Sequence, residues 1–149
     1  MVKKTSILNS NKIYKKALNL IPSGGQTYSK GVTQFSEGIA PKYLNKGRGA
    51  YVWDVDNNKY LDYVMGCQPL LLGYADNDVN NAVVSQLKKG STFSLHNELE
   101  VDVAKLLKEN IPSAEMSRFG KNGADATTIG VRIARAYTKR DHIAFCGYH

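Results

Sequence analysis

The sequence predicts an α/β chain, and three patterns predict it. Two short runs of alternating apolar residues lie near the middle, at 51–55 and 59–64. Apolar stripes at helical spacing follow over 77–89, 98–109 and 123–138. The last stripe is bracketed by two apolar runs, 116–119 and 142–146, so strand, helix and strand alternate. Such a unit implies a parallel strand pair joined by a right-handed crossover.

Taken in order, 11–20 forms a short helix with Ile13, Ala17, Leu18 and Leu20 on one side, ended by Pro22-Ser23-Gly24-Gly25. Residues 24–42 read as a long loop, and loops of that length usually carry function or are disordered. From Tyr43 the pattern turns to β. Asp56-Asn57-Asn58 separates the two alternating runs with residues that tolerate left-handed backbone angles, giving a hairpin or small meander. Residues 65–74 are apolar and bounded by glycines. The first long helix places Val79, Val83, Val84 and Leu87 on one stripe. The second places Leu99, Val103, Leu106 and Leu107 likewise, and Asn97 with Glu100 has capping-box spacing. The third carries Ala126, Ile129, Gly130, Ile133, Ala134 and Tyr137, with Asn122 and Asp125 at cap spacing.

Composition narrows the function classes. The chain has 149 residues, enough for a core of its own, with 42% hydrophobic and 22% charged residues. No apolar run is long enough to span a membrane, and the basic N-terminus is not followed by a signal-peptide core. Cys67 and Cys146 suggest neither a disulfide framework nor a metal site, so a cytoplasmic, reducing setting is expected and no metal is assigned. The net charge of +7 comes mainly from residues 1–50, which carry nine Lys/Arg and one acidic residue. Those cations are dispersed without interleaved aromatics, which argues against a nucleic-acid partner.

The stretch Arg118-Phe119-Gly120-Lys121-Asn122-Gly123-Ala124-Asp125-Ala126 carries the clearest chemistry. It runs from the 116–119 segment into a helix, and the first N–H groups of a helix point outward with partial positive charge. It is neither a P-loop nor a three-glycine dinucleotide fingerprint. It serves as a phosphate cradle or as a plain helix cap. Ligands of parallel sheets bind beyond the carboxyl ends of the strands, so this turn and Gly147-Tyr148-His149 are expected on one sheet edge. The Gly24 to Lys30 loop, with hydroxyls and one cation, reads as a substrate-carboxylate site or as a linker. His96 precedes a helix cap and reads as a surface residue. No Ser-His-Asp, paired-carboxylate or zinc pattern is present.

Several segments occur in a recognisable order: Ile21-Pro22-Ser23-Gly24-Gly25, Gly47-Arg48-Gly49-Ala50-Tyr51-Val52-Trp53-Asp54-Val55-Asp56, Tyr60-Leu61-Asp62-Tyr63-Val64, and Pro69-Leu70-Leu71-Leu72-Gly73-Tyr74. Asn97-Glu98-Leu99-Glu100-Val101, the 118–126 stretch and Arg132-Ile133-Ala134-Arg135-Ala136-Tyr137-Thr138 complete it. In this the chain resembles the N-terminal portion of class III pyridoxal-phosphate (PLP) aminotransferases, in particular the glutamate-1-semialdehyde 2,1-aminomutase-like branch. The resemblance implies the N-terminal part of a fold-type-I PLP-dependent transferase. Residues 1–75 would form a helix, loop and β-meander segment, and 76–149 the first part of the large parallel-sheet domain that binds the cofactor.

The same resemblance implies site residues. PLP would be held by Asn122, Gly123 and Ala124 at its phosphate, by Tyr148 stacked on its ring, and by His149 in the wall. Substrate would meet Ser29, Lys30 and Cys67. The family's turn usually reads Ser-Gly-Thr-Glu or Ser-Gly-Ser-Glu, so two phosphate-facing hydroxyls are replaced here. Cys67 stands where the aminomutase has Trp, and Lys30 lies near its loop Arg. These departures point toward another amino-transfer substrate, semialdehyde or sugar-related. No catalytic residue is assigned, because the Schiff-base lysine of the family is expected beyond His149, and the 149-residue chain alone is expected to be inactive. The partners implied are a small amino donor, a carbonyl substrate and a second copy in a homodimer. The alternative, from another class, is a non-catalytic phosphate-ligand module complete at this length.

Overall fold

The computed structural model describes residues 5–146. The chain divides into two compact units, Met1–Ser91 and Thr92–His149. No helix among the described residues is long and apolar enough to cross a membrane.

The first unit begins with helix α1, Leu8–Ala17. It starts earlier than its sequence suggests, because its cap comes from far along the chain. Ile7 supplies no side-chain cap; instead the Asp56 carboxylate accepts the N–H groups of Asn9 at 2.8 Å and Ser10 at 2.9 Å. A carboxylate at this end also suits the helix dipole. Ser10 is fully buried, and its hydroxyl accepts the N–H groups of Lys42 at 2.7 Å and Tyr43 at 3.3 Å. The long loop is not featureless. It folds into single-turn 3-10 helices at Pro22–Gly24, Tyr28–Lys30 and Val32–Gln34. Gly24 is required where it stands: its φ is +71°, and a Cβ there would lie 2.5 Å from the Tyr14 ring.

The predicted β region is an antiparallel meander of β1 (Leu44–Arg48), β2 (Tyr51–Asp54) and β3 (Lys59–Leu61), in that order. The pairing sets Lys46 beside Trp53 and Trp53 beside Lys59. On that face the Lys46 ammonium lies 4.9 Å from the Trp53 ring, and that of Lys59 lies 3.8 Å from the Tyr51 ring. The β2–β3 turn is built on Asp54, which is fully buried. Its carboxylate accepts the N–H groups of Asp56 (2.9 Å) and Asn58 (2.8 Å), the Asn58 amide (2.8 Å) and the Tyr60 hydroxyl (2.9 Å). Helix α2, Asn77–Lys89, is capped by Asp76, which accepts from the N–H groups of Asp78 and Val79.

The second unit contains α3 (Glu98–Asn110) and α4 (Gly123–Thr138), and both begin with the capping boxes their sequences announce. The flanking strands are a correction. Residues 116–119 and 142–146 run without a ladder partner among the described residues, so the expected parallel pair does not form there. The physical reason is coverage. Parallel strands are stable when helices and further strands bury both faces, yet Met116 is 94% exposed and Phe145 70% exposed.

Two predictions follow from the β2–β3 turn. Asp54→Ala leaves buried donors unpaired and costs about 3 kcal/mol, whereas Asp56→Ala removes only the remote cap and costs about 1 kcal/mol. Urea unfolding followed by the fluorescence of Trp53, the single tryptophan, measures both, and equal losses would contradict the assignment. The second concerns pH. Burial alone would raise the Asp54 carboxyl, but donation from Asn58, Tyr60 and the Asp56 N–H holds it below its ordinary value. Its contribution is therefore complete above pH ~4 and is lost as pH falls through the lowered value. Burial and the Asp54 bond push Tyr60 up to about 12. That contribution is complete below pH ~10 and fades as pH rises through about 12. Urea midpoints across pH should show this plateau with a loss at each end.

Candidate active site

In the second unit the candidate cradle is a reciprocal cap. Asn122 has extended backbone (φ −147°, ψ 173°), and its side-chain oxygen accepts the Asp125 N–H at 3.0 Å. Asp125 answers by accepting the N–H groups of Lys121 at 3.0 Å and Asn122 at 3.3 Å. Gly123 and Ala124 are the first two helical residues, where an N–H has no intrahelical acceptor. Neither N–H is used by a side chain among the described residues. The turn thus keeps two outward donors free at the positive end of a 16-residue helix. Gly120 lets this loop close, since a Cβ there would lie 3.0 Å from that of Asp125. The Asn122 amide oxygen is committed to the cap, so its expected role at a phosphate narrows to its NH2 group. Tyr148 and His149 lie outside the described residues.

In the first unit the structure brings together two residues 38 positions apart. Ser29 Oγ and Cys67 Sγ stand 3.7 Å apart, a thiol–hydroxyl hydrogen bond in which either group donates. Both are exposed. Lys30 follows Ser29 in the same 3-10 turn and lines a cavity of about 200 Å3 with Tyr14, Gly24, Thr27, Lys42 and Tyr43. Lys42 is engaged there, donating to the Asn11 side chain at 2.6 Å and lying 5.7 Å from the Tyr14 ring. The Lys30 ammonium makes no hydrogen bond or ion pair among the described residues, its backbone N–H alone donating, to the Thr27 carbonyl at 3.1 Å. The cavity therefore offers one uncommitted cation. Tyr43 donates to the Gly24 carbonyl at 3.1 Å and fixes the loop's entry, and burial with the nearby Tyr14 raises its pKa.

Cys67 is presented by an unusual backbone. Met65, Gly66, Cys67 and Gln68 have φ of 50°, 62°, 73° and 80° in succession. Left-handed geometry costs an L-residue roughly 1–2 kcal/mol, and it normally occurs singly. The Cys67 and Gln68 N–H groups both donate to the Val64 carbonyl, at 2.9 and 3.2 Å. The sequence gives little sign of this run, because Met, Cys and Gln have no preference for it; Gly66 alone hints at a turn. His96 is surface, as expected, 3.5 Å from Glu100.

A family model, Aminotransferase class-III, matches residues 34–147. The chain is 38% identical over 150 residues to the 3-aminobutyryl-CoA aminotransferase of Cloacimonas acidaminovorans, covering 100% of this chain and 36% of that protein. It is 42% identical over 134 residues to the glutamate-1-semialdehyde 2,1-aminomutase of Archaeoglobus fulgidus, covering 90% of this chain and 31% of that protein. Among solved structures, a transaminase with PLP bound superposes with a TM-score of 0.83 at 28% identity, covering 97% of this chain and 34% of that one. The chain spans about a third of the length of the curated relatives it matches. With a model match over most of its residues, the chain belongs to the class-III aminotransferase family.

Proposed function

We propose that this chain supplies the N-terminal part of a PLP-dependent amino-transfer enzyme, with residues 76–149 opening the cofactor domain and 1–75 serving the substrate. Pyridoxal phosphate is the cofactor that family membership indicates. When bound, it supplies an electron sink for moving an amino group. The observation that carries the reading is the pair of unused N–H groups on Gly123 and Ala124, at a helix start whose other donors are already satisfied. They fit a phosphate: they supply two hydrogen bonds and the helix dipole favours the anion, while the Asn122 NH2 can donate a third. The Asp125 carboxylate is kept from opposing that anion by its two backbone donors. In the full reading Tyr148 and His149 join the cofactor wall.

On the substrate side, the Ser29–Cys67 pair offers neutral polar contacts and Lys30 an unpaired cation. That set suits a small carbonyl or amino compound bearing a carboxylate, closer to the semialdehyde class than to a sugar. Both relatives cited above take substrates of amino-transfer chemistry by their names, an aminobutyryl thioester and a semialdehyde. A homodimer and a cytoplasmic setting complete the reading. No lysine of this chain is assigned the covalent role.

Two experiments test it. Gly123→Pro removes one free N–H and leaves the helix intact, since proline suits the first helical position and Asn122 already has the extended backbone a following proline requires. It should weaken PLP binding about tenfold at unchanged helicity, and unchanged affinity would contradict the cradle. Borohydride treatment of the chain with PLP should leave no single lysine selectively modified. Selective reduction at one lysine with turnover of an amine would overturn the division of roles.

A further inference from the structure

The loop that carries Cys67 is anchored at both ends by one side-chain pair. Asp62 follows β3, and its N–H donates to the Ala50 carbonyl at 2.9 Å. One oxygen of its carboxylate accepts the Val64 N–H at 2.8 Å, at the mouth of the left-handed run. The other accepts the Tyr74 hydroxyl at 2.6 Å, from beyond the far end of the loop. Tyr74 is itself fixed to the meander. Its N–H and carbonyl exchange 2.8 Å bonds with Gly49, and its ring occupies the space over Gly47, where a Cβ would lie 2.5 Å away. Between these anchors the chain bends through Gly73, whose φ is +83° and whose absent Cβ would meet the Gly49 backbone at 2.9 Å. A cavity of about 270 Å3 lined by Gly49, Asp62, Met65, Leu70 and Tyr74 lies under the loop.

Three left-handed L-residues do not hold themselves in place. A backbone in sparsely populated angles persists when its surroundings over-determine it. The loop's own bonds, both to the Val64 carbonyl, fix the turn but not its placement on the unit. Placement falls to the Asp62 carboxylate, which ties Val64 to Tyr74 and so to the β1–β2 turn. This charge-assisted bond is short and belongs to the stronger class. We propose that Tyr74 and Asp62 are positioning residues for the substrate side of the site: their bond latches the 64–70 loop in its left-handed turn and so keeps Cys67 against Ser29. This rests on the reading above that Ser29 and Cys67 face the substrate. Neither Tyr74 nor Asp62 touches Ser29 or Cys67 in the hydrogen-bond network, so both act through the backbone between them.

The reactivity of Cys67 reports the latch directly. In the full chain carrying Cys146→Ser, Cys67 is the single thiol, and its alkylation by iodoacetamide is followed by mass spectrometry. Tyr74→Phe keeps the ring over Gly47 and deletes the donor; Asp62→Asn keeps the shape and removes the charge. Each should speed alkylation about tenfold as the loop leaves Ser29. Tyr60→Phe is the control: it breaks a Tyr–Asp bond of the same kind, to Asp54, in the same unit. It should lower the melting temperature and change the Cys67 rate by less than about twofold, the range of ordinary local rearrangement. Ser29→Ala tests the pairing separately and should speed alkylation about threefold. A Tyr74→Phe rate equal to that of the parent, or a Tyr60→Phe rate raised as much, overturns the latch. An unchanged Ser29→Ala rate overturns the Ser29–Cys67 pairing, and with it the positioning role, even where Tyr74→Phe frees the loop.

Discussion

The first unit depends on a buried charge with no cation beside it among the described residues. Asp54 sits fully inside, and four donors surround it in place of a counter-ion. An isolated carboxylate in such a place would neutralise itself or pull in water; complete hydrogen bonding lets it stay ionised. The turn thereby fixed sets up everything upstream. Asn58, held by Asp54, donates to the Ser6 carbonyl at 2.7 Å. Asp56, held by the same turn, caps α1. Ser10 of α1 then receives the Lys42 and Tyr43 backbone, and Tyr43 reaches Gly24. One carboxylate thus supports a chain of contacts that ends at the Gly24 turn. Among the described residues the buried apolar side chains are Ile7, Ala17 and Val52, so polar bonds carry an unusual share of this unit's specificity.

What could be read in advance follows the range of each interaction. Helices α2, α3 and α4 announce themselves through local stripes and through caps three residues apart, at Asn97 with Glu100 and Asn122 with Asp125. The meander is legible for the same reason: its turn chemistry lies within the turn. The start of α1 is not, because Ile7 is a poor cap and the true cap lies 47 residues away. The 116–119 and 142–146 segments mislead for a related reason. Period and composition describe a strand's preference, whereas a strand exists only through a partner, and none stands beside them among the described residues. The Ser29–Cys67 approach was reachable only through resemblance. Nothing in either local sequence says that a 3-10 turn and a left-handed run will meet.

The two kinds of site residue are held by different physics. Ser29 and Cys67 depend on loops whose geometry is imposed from outside, by Tyr43 and Gly24 on one side and by Asp62 and Tyr74 on the other. Such loops can change their display through distant substitutions, which suits the part of a site that distinguishes substrates. Gly123 and Ala124 depend on the helix start that the Asn122–Asp125 box sets. Their donors belong to the backbone, so this half tolerates side-chain changes that keep the box.

On the proposed function, that tolerance lets the cradle do without hydroxyls and keep its chemistry. A serine or threonine at such a turn adds a donor from a rotatable side chain, which must be ordered on binding. The backbone N–H groups of Gly123 and Ala124 are already ordered by the Asn122–Asp125 box. Asp125 has a second consequence. By taking the Lys121 and Asn122 N–H groups, it removes two donors from competition and leaves the free pair at the first turn of α4. Gly120 makes room for the Asp125 Cβ in that box. On the proposed function, the result is a phosphate seat defined by backbone direction rather than by side-chain chemistry, with its selectivity left to the groups that meet the rest of the ligand.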